Sequence, residues 1–362
     1  MRNKRIPDLE ILAFAFTNRC NLACTHCVYD HLNRPGQSEL PLDFFVQCLA
    51  EGRPLGAHSA NITGGEVFLR PDILDLVAAG VDMGYFMSLE SNGTLITDAD
   101  IERLKSFGDR VRIAISLDGM TTAVHEAIRG PNTYDRTIAV LKKLSQAGVP
   151  CRINTALQTV NIAEVPKIAA FAVDELGIGF RLLPYILDSG KGACVCQTDG
   201  IEYSRIVELT EGFLYPFIRQ HPQANITIGL NVALVPIDIE GHLLCPWAQS
   251  MIGIGPTGIA SLCHVTNRFP DFIFGDLTKE SLADIWTKNE QLKKFRSFNP
   301  DTLKGVCGNC QAREICRGGC RLDAYLSFGD ILAPDGQCQA VYNMGMFPDY
   351  ALNDPEQNCR YE

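Results

Sequence analysis

Long hydrophobic runs are missing from this chain of 362 residues. Its first apolar stretch, Ile11–Phe16, follows a polar start and is too short for a secretion signal or a bilayer span. The expectation is a cytoplasmic protein with no membrane association. An excess of positive charge is missing too: the net charge is −10, and no basic patch with interleaved aromatics stands out. That argues against a non-specific grip on nucleic acid or an anionic membrane. Neither a tandem repeat nor a low-complexity segment is present, which sets aside repeat architectures and disordered tracts.

Cysteine, by contrast, is abundant. There are fifteen, and ten of them fall into close-spaced groups at the two ends of the chain. A secreted disulfide scaffold is short and carries a secretion signal, and this chain is long and shows none. In a reducing compartment such clusters point to metal ligation or redox chemistry.

Between about Ile11 and Leu183 short β-type runs alternate with helical patterns. The strands are predicted at Ile11–Phe16, Ala60–Ile62, Phe86–Leu89, Val111–Leu117, Ile153–Leu157 and Phe180–Leu183. Helices are predicted at Leu42–Leu49, Pro71–Val81, Asp98–Phe107 with Asp98 as N-cap, Tyr134–Ala147 and Val165–Leu176. Six strands separated by helices imply an α/β fold, a parallel sheet with helices on its outer face. The pattern leaves a partial barrel and an open sheet equally available. Residues 1–187 are expected to form this unit. Residues 188–240 read as a connecting helical segment, with a turn-rich start holding Cys194 and Cys196. Residues 241–362 read as a small cysteine-held domain of short strands and loops.

The first cysteine group, Cys20, Cys24 and Cys27 in CNLACTHC, directly follows the first strand. Thiolates hold iron–sulfur clusters, and a four-iron cluster needs four ligands, so three cysteines leave one iron open to a small molecule. A zinc site or redox pair is the alternative; zinc wants a fourth ligand, for which His26 and His31 are nearby. The loop after the second strand holds Gly64, Gly65 and Glu66, where glycines permit close backbone approach and a carboxylate suits an ammonium. Ser91, Asn92 and Gly93 follow the third strand, and Ser116 and Asp118 stand at the end of the fourth. In βα barrels the loops after the strands form the active face.

These motifs resemble the radical S-adenosylmethionine (SAM) superfamily over about Ile11–Leu183. The resemblance implies a partial (β/α)6 TIM-like barrel and a [4Fe–4S] cluster on Cys20, Cys24 and Cys27. Its open iron would chelate the methionine part of SAM. Gly64, Gly65 and Glu66 would line the SAM amino group, and Ser91, Ser116 and Asp118 are further candidates for SAM or substrate contact. His26 stands where the family carries an aromatic residue and is expected to pack beside the cluster. A reduced cluster then cleaves SAM to a 5′-deoxyadenosyl radical, which requires an external one-electron reductant of flavodoxin or ferredoxin type.

The tail carries Cys307, Cys310, Cys316 and Cys320 as C-x2-C-x5-C-x3-C, then Cys338. Upstream, Cys245 and Cys263 bracket Gly258, with four residues between Gly258 and Cys263. This order resembles the SPASM extension of radical SAM proteins. It implies two auxiliary iron–sulfur clusters, one on Cys245, Cys263 and Cys320, the other on Cys307, Cys310, Cys316 and Cys338. A fourth ligand to the first of these is either absent or Cys359. A structural zinc domain is the alternative, although seven cysteines divide poorly into four-ligand sites. Gly253, Gly255 and Gly258 spell GxGxxG without a strand–helix unit around them, so no dinucleotide site is expected. Cys48 and Cys151 read as core residues.

The resemblance suggests a peptide or protein substrate, or less often a small molecule. In anaerobic sulfatase maturases an aspartate follows the cysteine equivalent to Cys263, and here it is His264. That pair instead resembles the enzyme of pyrroloquinoline quinone biosynthesis, and CRGGCRLDAY resembles both that enzyme and the haem-pathway decarboxylases. With the first strand near residue 11, no leader-binding domain is expected ahead of the barrel. The first expectation is peptide or protein modification at an unactivated carbon. The second is oxidative decarboxylation of a tetrapyrrole propionate, and a non-catalytic electron carrier is the alternative of another class. A peptide predicts an extended groove; a tetrapyrrole predicts a wide pocket with several Arg or Lys. Arg129, in IRGPNTY, could position a carboxylate or be structural.

Overall fold

The six predicted βα units form the greater part of one ten-stranded sheet in the computed structural model, which describes residues 6–29, 38–184, 189–193, 201–236, 238–239 and 245–361. His31, Cys194 and Cys196 lie outside the described residues. Strand β1 (Ile11–Thr17) is buried along nearly its whole length, as a parallel strand covered on both faces requires. It pairs in parallel with β2 (Ser59–Gly64), and β3 (Phe86–Ser91), β4 (Val111–Ser116), β5 (Cys151–Ala156) and β6 (Gly179–Leu183) follow in order.

The sheet exceeds the predicted six strands at both sides. Strand β7 (Ile226–Ile228) adds to β6, and β8 (Met251–Ile254) runs parallel to β1, matching Ile11 with Met251 and Phe14 with Ile254. Strands β9 (Ile259–Ser261) and β10 (Ile273–Asp276) continue it antiparallel. The strand order ends at β7 and β10 with no pairing between them. The sheet is therefore not a closed barrel, and its order fits a partial one.

Helices α1 (Leu42–Gly52), α2 (Ile73–Asp82), α3 (Asp98–Ser106), α4 (Thr122–Arg129), α5 (Tyr134–Ala147) and α6 (Val165–Ala170) connect the strands. Three local expectations change. Helix α2 begins at Ile73, two residues after Pro71. The N-cap of α3 is Thr97, not Asp98: Thr97 Oγ1 accepts from Asp100 N–H while Asp100 accepts from Thr97 N–H, a reciprocal capping box. Helix α4 was not predicted, because its eight residues are too short to show a clear period.

The tail is also more helical than expected. It holds single-turn and two-turn helices, among them Leu282–Lys288, Gly305–Gly308, Arg313–Cys316, Arg321–Phe328 and Gly336–Asn343. Such turns satisfy their backbone locally and need no partner strand. The tail also packs on the barrel: Trp286 donates through Nε1 to Pro7 O at 3.0 Å, and Leu282 N–H to Glu51 of α1 at 2.8 Å. Cys48 and Cys151 are buried in the apolar core. Gly253 and Gly258 serve the β8–β9 hairpin. A Cβ on Gly253 would sit 2.1 Å from the Cys263 carbonyl carbon, and Gly258 turns the chain at φ +89°.

Candidate active site

The chain leaves β1 through a fixed exit. Thr17 Oγ1 and Asn18 N–H both donate to one oxygen of Glu39, at 2.6 and 2.7 Å. The loop that follows places Cys20, Cys24 and Cys27, all half-buried free thiols, at the C-terminal end of the barrel strands. Burial, with the neighbouring charges of Cys24, Glu66 and Cys27, pushes the Cys20 thiol up to about 11. Burial also raises Cys27. Such thiols stay protonated at neutral pH and become ligands only when a metal displaces the proton. Residues 189–193 cover this loop: Lys191 N–H donates to Cys27 O at 2.9 Å, and Lys191 Nζ to Ala23 O at 3.2 Å. His26 stands 3.3 Å from Gln158, and burial lowers its ring to about 4, so it is neutral.

The GGE loop explains its own glycines. A Cβ on Gly65 would fall 2.0 Å from Arg19 O, and one on Gly64 would fall 2.5 Å from Thr17 O. The close approach is thus to the backbone that opens the cysteine loop, clasped by Gly65 N–H to Thr17 O and Glu66 N–H to Arg19 O, each 2.8 Å. That clasp carries Glu66 inward, where it is 1% exposed. Its carboxylate accepts from Ser91 Oγ at 2.7 Å, Asn92 N–H at 2.8 Å and Phe68 N–H at 3.1 Å. Burial still leaves its pKa raised against these bonds. Asn92 reaches on to Asn21 in the cysteine loop, at 2.9 Å.

Asp118 and Ser116 separate in role. Strand β4 ends at Ser116, which is half-buried, and Asp118 lies two residues beyond it, fully buried. One Asp118 oxygen accepts from Arg129 Nε at 2.5 Å and the other from Ala156 N–H at 2.8 Å. Burial disfavours the Asp118 charge, but Arg129 and the other donors hold it below the usual carboxylate range. Arg129 also lies 3.8 Å from the Cys24 sulfur. The carboxylate that Arg129 holds is therefore the chain's own.

The tail thiols group broadly along the two expected sets, although Cys316 as well as Cys263 acts on Cys245. Burial, then Asp323, Cys245 and Cys263, raise Cys320. Cys245 is exposed as a residue, yet its sulfur is enclosed enough that burial, with Cys263, pushes it up to about 12. In the second set Cys307, Cys310, Cys316 and Cys338 line one small cavity with Asp335 and Phe347. Burial and then Asp335 push Cys316 up to about 11. Cys359 does not line that cavity; its carbonyl accepts from Gln339, next to Cys338, and its N–H donates to Tyr342. Among the described residues no three His, Cys, Asp or Glu are gathered as a single-ion site.

Composition and motif spacing pass over the barrel interior. Arg112, Arg152 and Arg181 sit in VRIAIS, CRINTA and GFRLL, where a single charge between apolar residues was the available signal. Arg152 and Arg181 both face Glu90, at 3.9 and 4.0 Å. A cavity of about 850 Å³ at the opposite end of the barrel, lined by Asp109, Gly148, Pro150 and Gly177, touches none of the candidate ligand cysteines.

The profile of the Radical SAM superfamily matches residues 14–172, and that of the SPASM iron–sulfur cluster-binding domain matches residues 245–311. Cys316, Cys320 and Cys338 lie beyond the second match. The chain is 27% identical to the AdoMet-dependent heme synthase of Methanosarcina barkeri, over 93% of this chain and 97% of that protein. It is 26% identical to the PqqA peptide cyclase of Gluconobacter oxydans, over 92% and 90%. Streptococcus suis SuiB bound to S-adenosylmethionine shares the fold, with a TM-score of 0.74 at 19% identity over 92% of this chain and 78% of SuiB. The same protein bound to its precursor peptide SuiA gives 0.73 at 19% identity, over 91% and 75%.

Proposed function

From the premise that this chain belongs to the radical SAM superfamily and carries a SPASM iron–sulfur domain, we propose that it modifies a ribosomal peptide or protein at an unactivated carbon, by cross-linking, oxidation or epimerisation. Its cofactors are S-adenosyl-L-methionine, a SAM-binding [4Fe–4S] cluster and auxiliary iron–sulfur clusters, here two. When bound, they supply a 5′-deoxyadenosyl radical that takes hydrogen from carbon. The observation that carries this proposal is the meeting of the Cys20–Cys24–Cys27 loop with the buried Glu66 carboxylate at one end of the barrel.

Cys20, Cys24 and Cys27 would hold the first cluster with one iron open to SAM. Gly64 and Gly65 let the loop close on the cysteine backbone, and Glu66, oriented by Ser91, would receive the SAM ammonium. Ser116 and the Asp118–Arg129 pair flank the same end. Cys245, Cys263 and Cys320 would hold one auxiliary cluster, and Cys307, Cys310, Cys316 and Cys338 the other. Residues 1–187, 188–240 and 241–362 would serve as barrel, bridge and SPASM domain. The electron would come from a flavodoxin or ferredoxin type reductant in the cytoplasm; no described helix is long and apolar enough to cross a membrane.

A second reading is oxidative decarboxylation of a tetrapyrrole propionate. The arginines of the barrel interior favour it, since propionates need cationic partners, and a heme synthase is among the chain's relatives.

Anaerobic reconstitution followed by SAM and dithionite tests the shared premise. 5′-Deoxyadenosine is expected; its absence from protein with full iron content would favour a non-catalytic electron carrier.

A further inference from the structure

Strand residues alternate between the two faces of a sheet. In β4, β5 and β6 the fully buried Ile113, Ile115, Ile153, Phe180 and Leu182 pack into the apolar core. Arg112, Arg152, Asn154 and Arg181 therefore share the other face, which lines the inside of the barrel. Register sorts them into layers. Glu90, Ala114, Arg152 and Gly179 stand side by side across β3 to β6, and Ser116, Asn154 and Arg181 form the layer above, towards the cysteine loop. Arg112 lies a layer deeper and borders the cavity at the far end.

Three features of this interior point to a ligand. First, the space is open: Glu90 keeps 42% of its side chain exposed although it sits in a central strand. Ala13, Ala15, Ala114, Gly179 and Gly253 contribute little volume on the same face. Second, the charge is unbalanced. Arg152 and Arg181 share one carboxylate, Glu90, and side-chain exposures of 11% and 15% keep water from compensating them fully. Burial and the neighbouring guanidinium of Arg181 lower Arg152 to about 10. Third, polar atoms are left over. Arg152 Nε, Arg181 Nε, Asn154 Oδ1 and His264 Nδ1 are buried and find no partner among the described residues, and Asn154 is only 8% exposed. Native interiors pair such groups or present them to something. Arg181 lies within electrostatic reach of both Cys245 and His264, so this polar set faces the region between the first cysteine loop and the tail.

We propose that Arg152 and Arg181, with Asn154 and His264 beside them, form the binding site for a carboxylate group of the substrate. The assignment rests on the radical SAM function proposed above and names the substrate class: a molecule whose carboxylate lies near the carbon to be attacked. Planar guanidinium forks on adjacent strands match carboxylate geometry and fix orientation, which a radical reaction needs so that one hydrogen is presented. An incoming carboxylate would relieve the repulsion between the two arginines and take up their Nε donors.

Two sources of that carboxylate are separable with the reconstituted holoenzyme. The probes are a porphyrin bearing four propionates with its tetramethyl ester, and a glutamate-containing synthetic peptide with its glutamine counterpart. At least one acidic probe should bind about 10- to 100-fold tighter than its neutral counterpart, a scale expected for desolvated charge pairs. A preference for the porphyrin acid identifies a small polycarboxylate, and a preference for the acidic peptide identifies a peptide side chain. Arg152→Gln and Arg181→Gln should each remove most of that preference, and Arg181→Lys should restore part of it. Iron content and circular dichroism confirm that the variants are folded, while the acid-to-neutral comparison in the unaltered protein needs no variant. Equal affinity for both members of each pair, or an acid preference untouched by both glutamine variants, overturns the site. 5′-Deoxyadenosine production is scored separately, so an Arg-dependent acid preference without it would retain the site and reject the radical function.

Discussion

Asp335 ties the two cysteine sets of the tail together: its carboxylate accepts from the N–H of Cys320 at 3.0 Å and from the N–H of Cys338 at 3.2 Å. Cys320 belongs to one proposed auxiliary ligand set and Cys338 to the other. Asn231, just after β7, donates to the same carboxylate at 2.7 Å, and Asp335 N–H lies 3.4 Å from the Cys307 sulfur. Asp335→Ala should therefore leave buried N–H groups unpaired at both sets and remove the N-cap of Gly336–Asn343. The expected cost is about 2–4 kcal/mol from a lost cap plus unsatisfied donors. Iron per chain after reconstitution should fall by more than one auxiliary cluster can account for. Iron analysis with electron paramagnetic resonance of the reduced protein checks this; loss confined to one cluster would refute the shared role.

Replacing Cys20, Cys24 and Cys27 together by alanine should abolish 5′-deoxyadenosine formation and lower iron by about four atoms per chain, the content of one cubane. Iron assigned to the tail should remain. Retention of the full iron complement would show that the first loop holds no cluster.

Gly65→Ala places a methyl carbon 2.0 Å from Arg19 O. Backbone must move to admit it, at a cost of about 1–3 kcal/mol. The GGE loop then lifts from the cysteine loop and Glu66 loses its position. Anaerobic thermal denaturation should show a lowered midpoint, and equilibrium dialysis of SAM should show weakened binding. Unchanged values in both would mean that the clasp is not needed.

Arg129→Met removes the partner of a fully buried carboxylate, and breaking such a pair costs about 3–5 kcal/mol. Adding Asp118→Asn should recover part of that loss, because the uncompensated charge goes with it. A double-mutant cycle by denaturant unfolding under anaerobic conditions measures the coupling. Additive effects would argue against a direct pair.

Much of the barrel was legible in the sequence because its causes are local. Period-2 apolar runs and intervening helical periods depend on neighbours in the chain, and all six predicted strands are present. The cap of α3 was misplaced by one residue because Thr97 and Asp98 both suit an N-cap, and only the reciprocal bonds to Asp100 distinguish them. Strand β8 escaped notice because a four-residue run gains its meaning from β1, some 240 residues earlier. The glycines of GGE were visible as permissive positions, but not that the backbone they admit is that of Thr17 and Arg19.

By itself the sequence determined the cysteine spacing, and through it the resemblance to the radical SAM and SPASM families that implies the two tail sets, because spacing is a matter of residue type and distance along one chain. Tertiary structure alone decided that Arg129 is spent on Asp118, that Asp335 fastens one tail set to the other, and that Arg152 and Arg181 meet over Glu90. Those relations arise where separate strands and loops are brought side by side. Charge pairing acts through space, and a linear order of residues does not say which charges will share a buried site.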